Sequence, residues 1–190
     1  MNFKELILKT RTCRRFDETH RINPELLENL VDLARLSTSG GNRQPLKYLI
    51  YNTVEECEKI FPFLSWAAYL NDWSGPLNGE RPSAYIVVLG DKTISDNFGV
   101  DHGIAAHSIM MGAANEDLGG CILGSIARDE LADELKIPDR YEILLILALG
   151  KPAEKIVIEE LKDDDVKYWR DENGIHHVPK RNLKDIIIRL

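Results

Sequence analysis

The chain has 190 residues, of which 44% are hydrophobic and 29% are charged, and its formal net charge is −7. This composition predicts one ordinary globular domain over residues 1–190, and the acidic balance argues against general nucleic-acid binding, which needs a broad cationic surface. Three cysteines without a C-x-x-C pair argue against a disulfide framework or a zinc site. The longest apolar run, residues 143–150, is too short to span a bilayer, and the N-terminus does not resemble a signal peptide. We therefore expect a cytoplasmic protein with no membrane partner.

The first half of the chain has clear element boundaries. Residues 2–10 show helical apolar spacing, and a second helix is predicted from Pro24, with Asn23 as its N-cap, to about Ser37. A loop is predicted at residues 37–42, followed by a strand at 47–52 and a helix at 54–60. The next segment, residues 61–82, has little periodicity and is predicted to be irregular.

The second half is predicted to alternate strands and helices before a charged tail. The strands are expected at residues 83–90, 121–124 (or a turn) and 142–150, and the helices at residues 101–118 and 129–136. The tail, 151–190, should contain a hairpin around residues 171–174 and a closing helix at 183–190. This order predicts an α/β or α+β domain with a covered sheet. The helix at 101–118 is rich in small residues, which is typical either of a core helix or of a subunit contact.

Two polar motifs near the N-terminus could bind a ligand. The segment from Arg11 to Phe16 (RTCRRF) places three guanidiniums in five residues, which suits a phosphate but also a basic turn paired with nearby carboxylates. In residues 39–45 (SGGNRQP), the glycines would allow close approach to a planar ligand, and the amides of Asn42 and Gln44 match a heteroaromatic edge. An ordinary polar loop between a helix and a strand is the alternative.

Two later motifs add to these. The glycine-rich segment at 118–124 lacks the G-x-G-x-x-G pattern and follows no strand, which argues against a Rossmann dinucleotide site, and it also fits a helix C-cap followed by a strand. Lys180 and Arg181 form a second cationic pair, which is typical either of anion binding or of surface charge beside a helix.

The order of these motifs resembles the nitroreductase-like family of FMN-dependent oxidoreductases. The matching segments are RTCRRF at 11–16, TSGGNRQP at 38–45, DHGIA at 101–105, DLGGCILG at 117–124 and VPKR at 178–181. The resemblance implies an α+β fold with a central, mostly antiparallel sheet covered by helices. It also implies a homodimer in which the C-terminal tail extends over the partner subunit. Only residues 91–100 separate the strand predicted at 83–90 from the helix predicted at 101–118, where many relatives have a longer insertion. The resemblance therefore does not determine the shape of the pocket.

The same resemblance implies FMN as the cofactor, with hydride passing from NAD(P)H through the flavin to a small electrophile such as a nitroaromatic or a quinone. By this resemblance the phosphate ligands are Arg11, Thr12 and Arg14, with Lys180 or Arg181 closing on the phosphate. The flavin contacts are Ser39, Gly40, Asn42 and Gln44, expected from the partner subunit, and the backbone of Gly119 and Gly120. No catalytic side chain and no metal ligand is expected. The alternatives are a flavin-dependent dehalogenase or flavin-destroying branch, a non-catalytic FMN-binding protein, and a flavin-free interaction module.

Overall fold

A computed structural model of the protein describes residues 1–189. Six α-helices lie in this part of the chain: α1 Phe3–Lys9, α2 Pro24–Leu36, α3 Val54–Ile60, α4 Asp101–Asn115, α5 Arg128–Leu135 and α6 Leu183–Ile186. The strands are β1 Phe16–Asp17, β2 Leu46–Tyr51, β3 Ala84–Asp91, β4 Gly119–Leu123, β5 Tyr141–Pro152, β6 Ile156–Glu160, β7 Trp169–Arg170 and β8 His176–Lys180. Residues 61–82 hold one 3₁₀ turn and are otherwise irregular, as predicted.

Local sequence fixes the ends of the helices. The side chain of Asn23 caps α2 and Pro24 is its first residue, as predicted, because a proline at this position lacks only an N–H that would have no partner within the helix. Helix α4 ends at Asn115, three residues before the predicted end. Asp117 adopts a left-handed φ of 56°, and the N–H of Leu118 bonds back to the carbonyl of Ala113, which closes the helix.

The main sheet is antiparallel and has β5 at its centre. Strand β3 pairs along one edge of β5 and carries β2 on its other side, whereas β4 and β1 pair along the opposite edge of β5. Side chains alternate between the two faces of a strand. Ile86 and Val88 of β3 therefore pack against α2 and α4, and Tyr85 and Val87 pack with α3 and α5. The sheet is thus covered by helices on both faces, as the predicted α+β fold requires.

The small residues of α4 serve close packing inside the chain. Ala105, Ala106 and Ala113 are buried in the cluster between α2, α4 and the sheet. A Cβ atom on Gly112 would lie 2.4 Å from Cδ1 of Leu33 in α2, so a side chain there would displace the leucine side chains of α2 that pack against this turn. The face of α4 that meets α2 is therefore part of the core of one chain, which was one of the two alternatives for this helix. A role in subunit contact stays a prediction.

The tail forms a second, three-stranded sheet. Strand β8 pairs in parallel with β6 and antiparallel with β7, so the hairpin predicted around residues 171–174 is present, whereas β6 was not predicted. Helix α6 is shorter than the closing helix predicted at 183–190: it ends at Ile186 before two further β-branched isoleucines, which disfavour helix. Leu190 lies outside the described residues. No helix in residues 1–189 is long and apolar enough to cross a membrane.

Candidate functional site

The arginine-rich segment and the glycine-rich segment lie side by side. Thr12 forms an isolated parallel bridge with Gly120, and the N–H of Cys13 donates to the carbonyl of Gly120 at 2.8 Å. A Cβ atom on Gly119 would lie 2.7 Å from Cγ of Pro152, and one on Gly120 would lie 2.6 Å from the carbonyl oxygen of Ala148. Packing within the chain therefore already requires both glycines, and a contact between their backbone and a flavin stays a prediction.

The cationic groups of this segment retain donors that an anion could use. Arg11 donates from Nη2 to the carbonyl of Ile7 at 2.9 Å, but its buried Nε has no hydrogen-bond partner among residues 1–189. Burial lowers the pKa of Arg11, although an arginine stays protonated at neutral pH. Thr12 is exposed. The guanidinium of Arg14 lies 4.6 Å over the ring of Tyr168, with Nη1 3.4 Å from Nε2 of His176.

The second cationic pair lies further along the tail. Lys180 is exposed at the end of β8, and Nη1 of Arg181 contacts Asp164 at 2.6 Å. Four strand positions separate Lys180 from His176, which is about 13 Å by the rise of a strand. Within one chain, therefore, the residue of β8 that contacts Arg14 is His176, and not Lys180 at the end of the strand. Closure of Lys180 or Arg181 on a phosphate stays a prediction.

The other predicted site, residues 39–44, is held by a carboxylate that the sequence analysis did not assign. Asp101 is 7% exposed in the first turn of α4. It accepts hydrogen bonds from Oγ of Ser39 at 2.6 Å and from the N–H of Gly40 at 2.8 Å. Oγ of Ser39 in turn accepts from the N–H of Gln44 at 3.0 Å. The Ser39 hydroxyl therefore organises the loop, which limits what it can offer to a ligand.

The tip of this loop presents its amides to solvent. Gly41, Asn42 and Gln44 have φ values of 58°, 56° and 52°, a left-handed conformation that Asn and Gly tolerate better than other residues. Nε2 of Gln44 lies 3.2 Å from Oδ1 of Asn42, and both residues are exposed. A cavity of about 390 Å³ opens beside the loop. Burial and then the charge of Asp101 raise the pKa of Tyr48, in the cavity wall, to about 12.

The two predicted parts of the site lie at opposite ends of α4. The loop at 39–44 is bound to Asp101, the first residue of this helix, whereas Gly119 and Gly120 follow its last residue, Asn115. The 15 residues of α4 span about 22 Å at 1.5 Å per residue. The arginine-rich segment and the amide loop of one chain are therefore too far apart to hold one small ligand group between them.

The buried thiols near the arginine-rich segment provide no nucleophile. Burial raises the pKa of Cys13 to about 12 and that of Cys121 to about 11. Both thiols therefore stay protonated at neutral pH, and the thiol is a poor nucleophile compared with the thiolate. Residues 1–189 contain no group of three His, Cys, Asp or Glu side chains arranged to hold a metal ion.

Comparison with known proteins identifies the family. The sequence model of the nitroreductase family matches residues 7–151. The chain belongs to the nitroreductase family. A relative from Archaeoglobus fulgidus, provisionally named an NADH dehydrogenase/NAD(P)H nitroreductase, is 26% identical over 165 residues, which cover 83% of this chain and 90% of the relative.

Solved structures of family members share the fold. A nitroreductase family protein from Clostridium difficile is 25% identical with a TM-score of 0.65, over 80% of this chain and 86% of that one. A protein from Exiguobacterium sibiricum, provisionally named a nitroreductase and solved in complex with FMN, is 20% identical with a TM-score of 0.69, over 90% of this chain and 98% of that one. Membership of the family and the antiparallel α+β fold confirm the two main predictions from the motifs.

Proposed function

We propose that this nitroreductase family member is an FMN-dependent oxidoreductase that uses NAD(P)H to reduce a small electrophile such as a nitroaromatic or a quinone. The observation that carries the proposal is the cationic segment Arg11–Arg14, which lies against the backbone of Gly120 and whose buried Arg11 Nε has no hydrogen-bond partner among residues 1–189. The relative solved with FMN supports the choice of cofactor. The name of the Archaeoglobus fulgidus relative supports NAD(P)H as the reductant.

The residues of the chain fit such a cofactor in two parts. Arg11, Thr12 and Arg14 would hold the phosphate through charge-assisted hydrogen bonds, and one of the terminal tail cations would complete the clamp. The exposed amides of Asn42 and Gln44 offer both donors and acceptors to the polar edge of an isoalloxazine ring. Bound FMN would supply the hydride chemistry, so the protein needs to supply binding, orientation and exclusion of water. The protonated thiols of Cys13 and Cys121 are compatible with this assignment of the chemistry to the cofactor.

The separation of the two parts along α4 supports a homodimer. The amide loop can meet the phosphate segment only if the loop comes from a second copy of the chain. An apolar groove of about 770 Å³ between α1, α2 and α4 supports the same view, because Phe3 in its wall is 73% exposed. Residues 183–188 of the tail also expose Leu183 and three isoleucines. Such surfaces are typical of subunit contacts. A cytoplasmic location is part of the proposal, since all three cysteines are free and buried.

The absorption spectrum of purified protein tests the proposal directly. We expect bound FMN, bleaching on addition of NADH or NADPH under anaerobic conditions, and recovery of the oxidised spectrum when a nitroaromatic or a quinone is added. Flavin that binds but is not bleached by either nucleotide would indicate a non-catalytic FMN-binding protein. Net consumption of the flavin would indicate a flavin-destroying enzyme. Apoprotein that cannot be reconstituted with FMN would refute the cofactor assignment.

A substitution of Arg14 tests the phosphate clamp. Arg14→Ala removes one charge-assisted contact, which contributes about 1.5–3 kcal/mol. The Kd for FMN should therefore rise by about ten to a hundred times, whereas the Kd for riboflavin, which lacks the phosphate, should hardly change. The matched control is Arg15→Ala, because the guanidinium of Arg15 pairs with Glu80 at 3.3 Å and should leave the FMN-to-riboflavin ratio unchanged. Equal losses for the two flavins in Arg14→Ala would remove Arg14 from the clamp.

A further inference from the structure

The segment that carries Arg14 is tied to the tail by one buried carboxylate. Glu154, which follows β5, has a side chain that is 1% exposed. Its Oε1 accepts from the backbone N–H of Arg14 at 2.5 Å and from that of Arg15 at 3.2 Å. Its Oε2 accepts from Nη2 of Arg170 in β7 at 2.9 Å. A carboxylate this deeply buried is stable only when such partners satisfy it.

The tail also contacts the side chain of Arg14. Tyr168 lies under the guanidinium, and Nε2 of His176 lies 3.4 Å from Nη1. His176 is 1% exposed, and burial lowers its pKa to about 4, so its ring is neutral near pH 7 and can accept a hydrogen bond from the guanidinium. Backbone and side chain of Arg14 are therefore both fixed by residues from the region 154–176.

We propose that Glu154 is a positioning residue for the phosphate part of the flavin site. By fixing the backbone of Arg14, with Arg170 as its counter-ion, Glu154 makes FMN affinity depend on the folded tail sheet. The physical reason is that a fixed backbone at Arg14 keeps its side chain in contact with Tyr168 and His176. A side chain that is ordered beforehand loses less conformational freedom when the phosphate binds. This inference rests on the proposed FMN function.

Two variants and one control separate this role from general stability. Glu154→Gln removes the charge and turns an amide donor toward Arg170. The double variant Glu154→Leu/Arg170→Met removes both buried charges together with similar side-chain volume, so neither charge is left unpaired and the fold should survive. The control is Glu160→Gln in the same tail sheet, because the exposed Glu160 accepts only from the side chain of Asn182 among the contacts of residues 1–189.

The first measurement is amide hydrogen exchange of the peptide covering residues 12–16 in apoprotein. The double variant should exchange about ten times faster than the unaltered protein in this peptide, since the amides of Arg14 and Arg15 lose their acceptor. Glu154→Gln keeps a neutral acceptor oxygen and should show a smaller increase, and Glu160→Gln should not differ from the unaltered protein. Unchanged exchange in both Glu154 variants would overturn the anchoring contact itself. This measurement needs no flavin.

The second measurement compares the affinities of the same variants for FMN and riboflavin. We expect the Kd for FMN to rise by about tenfold and that for riboflavin by less than about twofold, because only FMN reaches Arg14 through its phosphate. Equal losses for both flavins would mean that Glu154 only stabilises the fold, and would overturn the positioning role. If the unaltered apoprotein binds neither flavin, the FMN function and the positioning role both fail, whereas the exchange result still decides whether Glu154 anchors the segment.

Discussion

Replacing Asp101 with asparagine should loosen the amide loop and destabilise the protein by a calculable amount. The carboxylate accepts from Oγ of Ser39 at 2.6 Å and from the N–H of Gly40 at 2.8 Å. An asparagine has one acceptor oxygen, which can serve only Gly40 or Ser39. With that oxygen toward Gly40, the new amide donor faces Oγ of Ser39, which already accepts from the N–H of Gln44. The Ser39 hydroxyl thereby loses the acceptor of its own proton, and the bond from Gly40 is weakened because its acceptor is no longer charged.

The magnitude follows from these contacts. A hydrogen bond to a charged group contributes about 1.5–3 kcal/mol to stability and a neutral one about 0.5–1.5 kcal/mol. Replacing the charged carboxylate by a neutral amide therefore costs about 1 kcal/mol at each of the two contacts, or roughly 2 kcal/mol in total. The negative charge at the N-terminus of α4 adds about 0.3–1 kcal/mol. Asp101 is 7% exposed, so solvent screens these contacts little. We expect Asp101→Asn to lower the free energy of unfolding by about 2–3 kcal/mol.

Urea unfolding of apoprotein, followed by circular dichroism, measures this change as a shift in midpoint at constant slope. Asp96→Asn is the control, since Asp96 is exposed in the connection before α4 and its loss should change stability by less than about 0.5 kcal/mol. In a double-mutant cycle, Asp101→Asn and Ser39→Ala should couple by about 1 kcal/mol or more, because they share a bond. A loss below about 0.5 kcal/mol, or additive losses in the cycle, would refute the anchoring of the loop by Asp101.

Two further predictions concern the tail and the subunit contact. The pKa of His176 is about 4 in the folded protein and about 6.5 in the unfolded chain, so on acidification the unfolded chain binds the proton first. Between pH 6.5 and 4, the free energy of unfolding of the unaltered protein should therefore fall by on the order of 3 kcal/mol relative to that of His176→Gln, as measured by urea unfolding. Parallel stability curves for the two proteins would contradict this. Phe3→Asp should dissociate the proposed dimer, so that light scattering gives a mass near the 21.6 kDa of one chain. The control Leu77→Asp, at another exposed apolar residue, should leave the dimer intact. A Phe3→Asp variant that stays dimeric would show that the groove between α1, α2 and α4 is not the interface.

Features set by neighbouring residues were predictable from the sequence. The cap at Asn23, the first-turn proline and the hairpin at 171–174 all depend on residues within one turn of each other, and all are present. Strand β6 and strand β1 were missed because each is defined by a distant partner. Strand β6 pairs in parallel with β8, some twenty residues later, and the two residues of β1 pair with the far end of β5. Neither short segment has a periodicity of its own that distinguishes it from a loop.

In the candidate site, too, contiguous motifs were predictable from the sequence and remote contacts were not. The motifs at 11–16 and 39–45 are contiguous, so their composition alone suggested anion and heteroaromatic recognition beside the alternatives of a basic turn and a polar loop. The residues that hold those motifs in place are remote: Asp101 lies about sixty positions after Ser39, and Glu154 lies 140 positions after Arg14. From the sequence, Asp101 was placed in the DHGIA segment without a role and Glu154 was not singled out, because the residues near a carboxylate in a chain with 31 acidic residues do not show what that carboxylate binds. Only the fold shows that both are buried and bonded to backbone N–H groups.

The position of these two carboxylates bears on how a complete site would form. Asp101 fixes the amide loop at the start of α4, and Glu154 fixes the arginine-rich segment beyond its end. Each chain therefore contains two ordered segments, the proposed half-sites, at opposite ends of a helix about 22 Å long. A two-fold axis exchanges the two copies, so an interface that joins one arginine-rich segment to the partner's loop also joins the other pair. The proposed dimer would therefore hold two equivalent flavins, and neither could bind fully to a monomer. On this reasoning Phe3→Asp should weaken FMN binding although Phe3 belongs to neither half-site, and undiminished FMN affinity in a demonstrated monomer would show that one chain suffices.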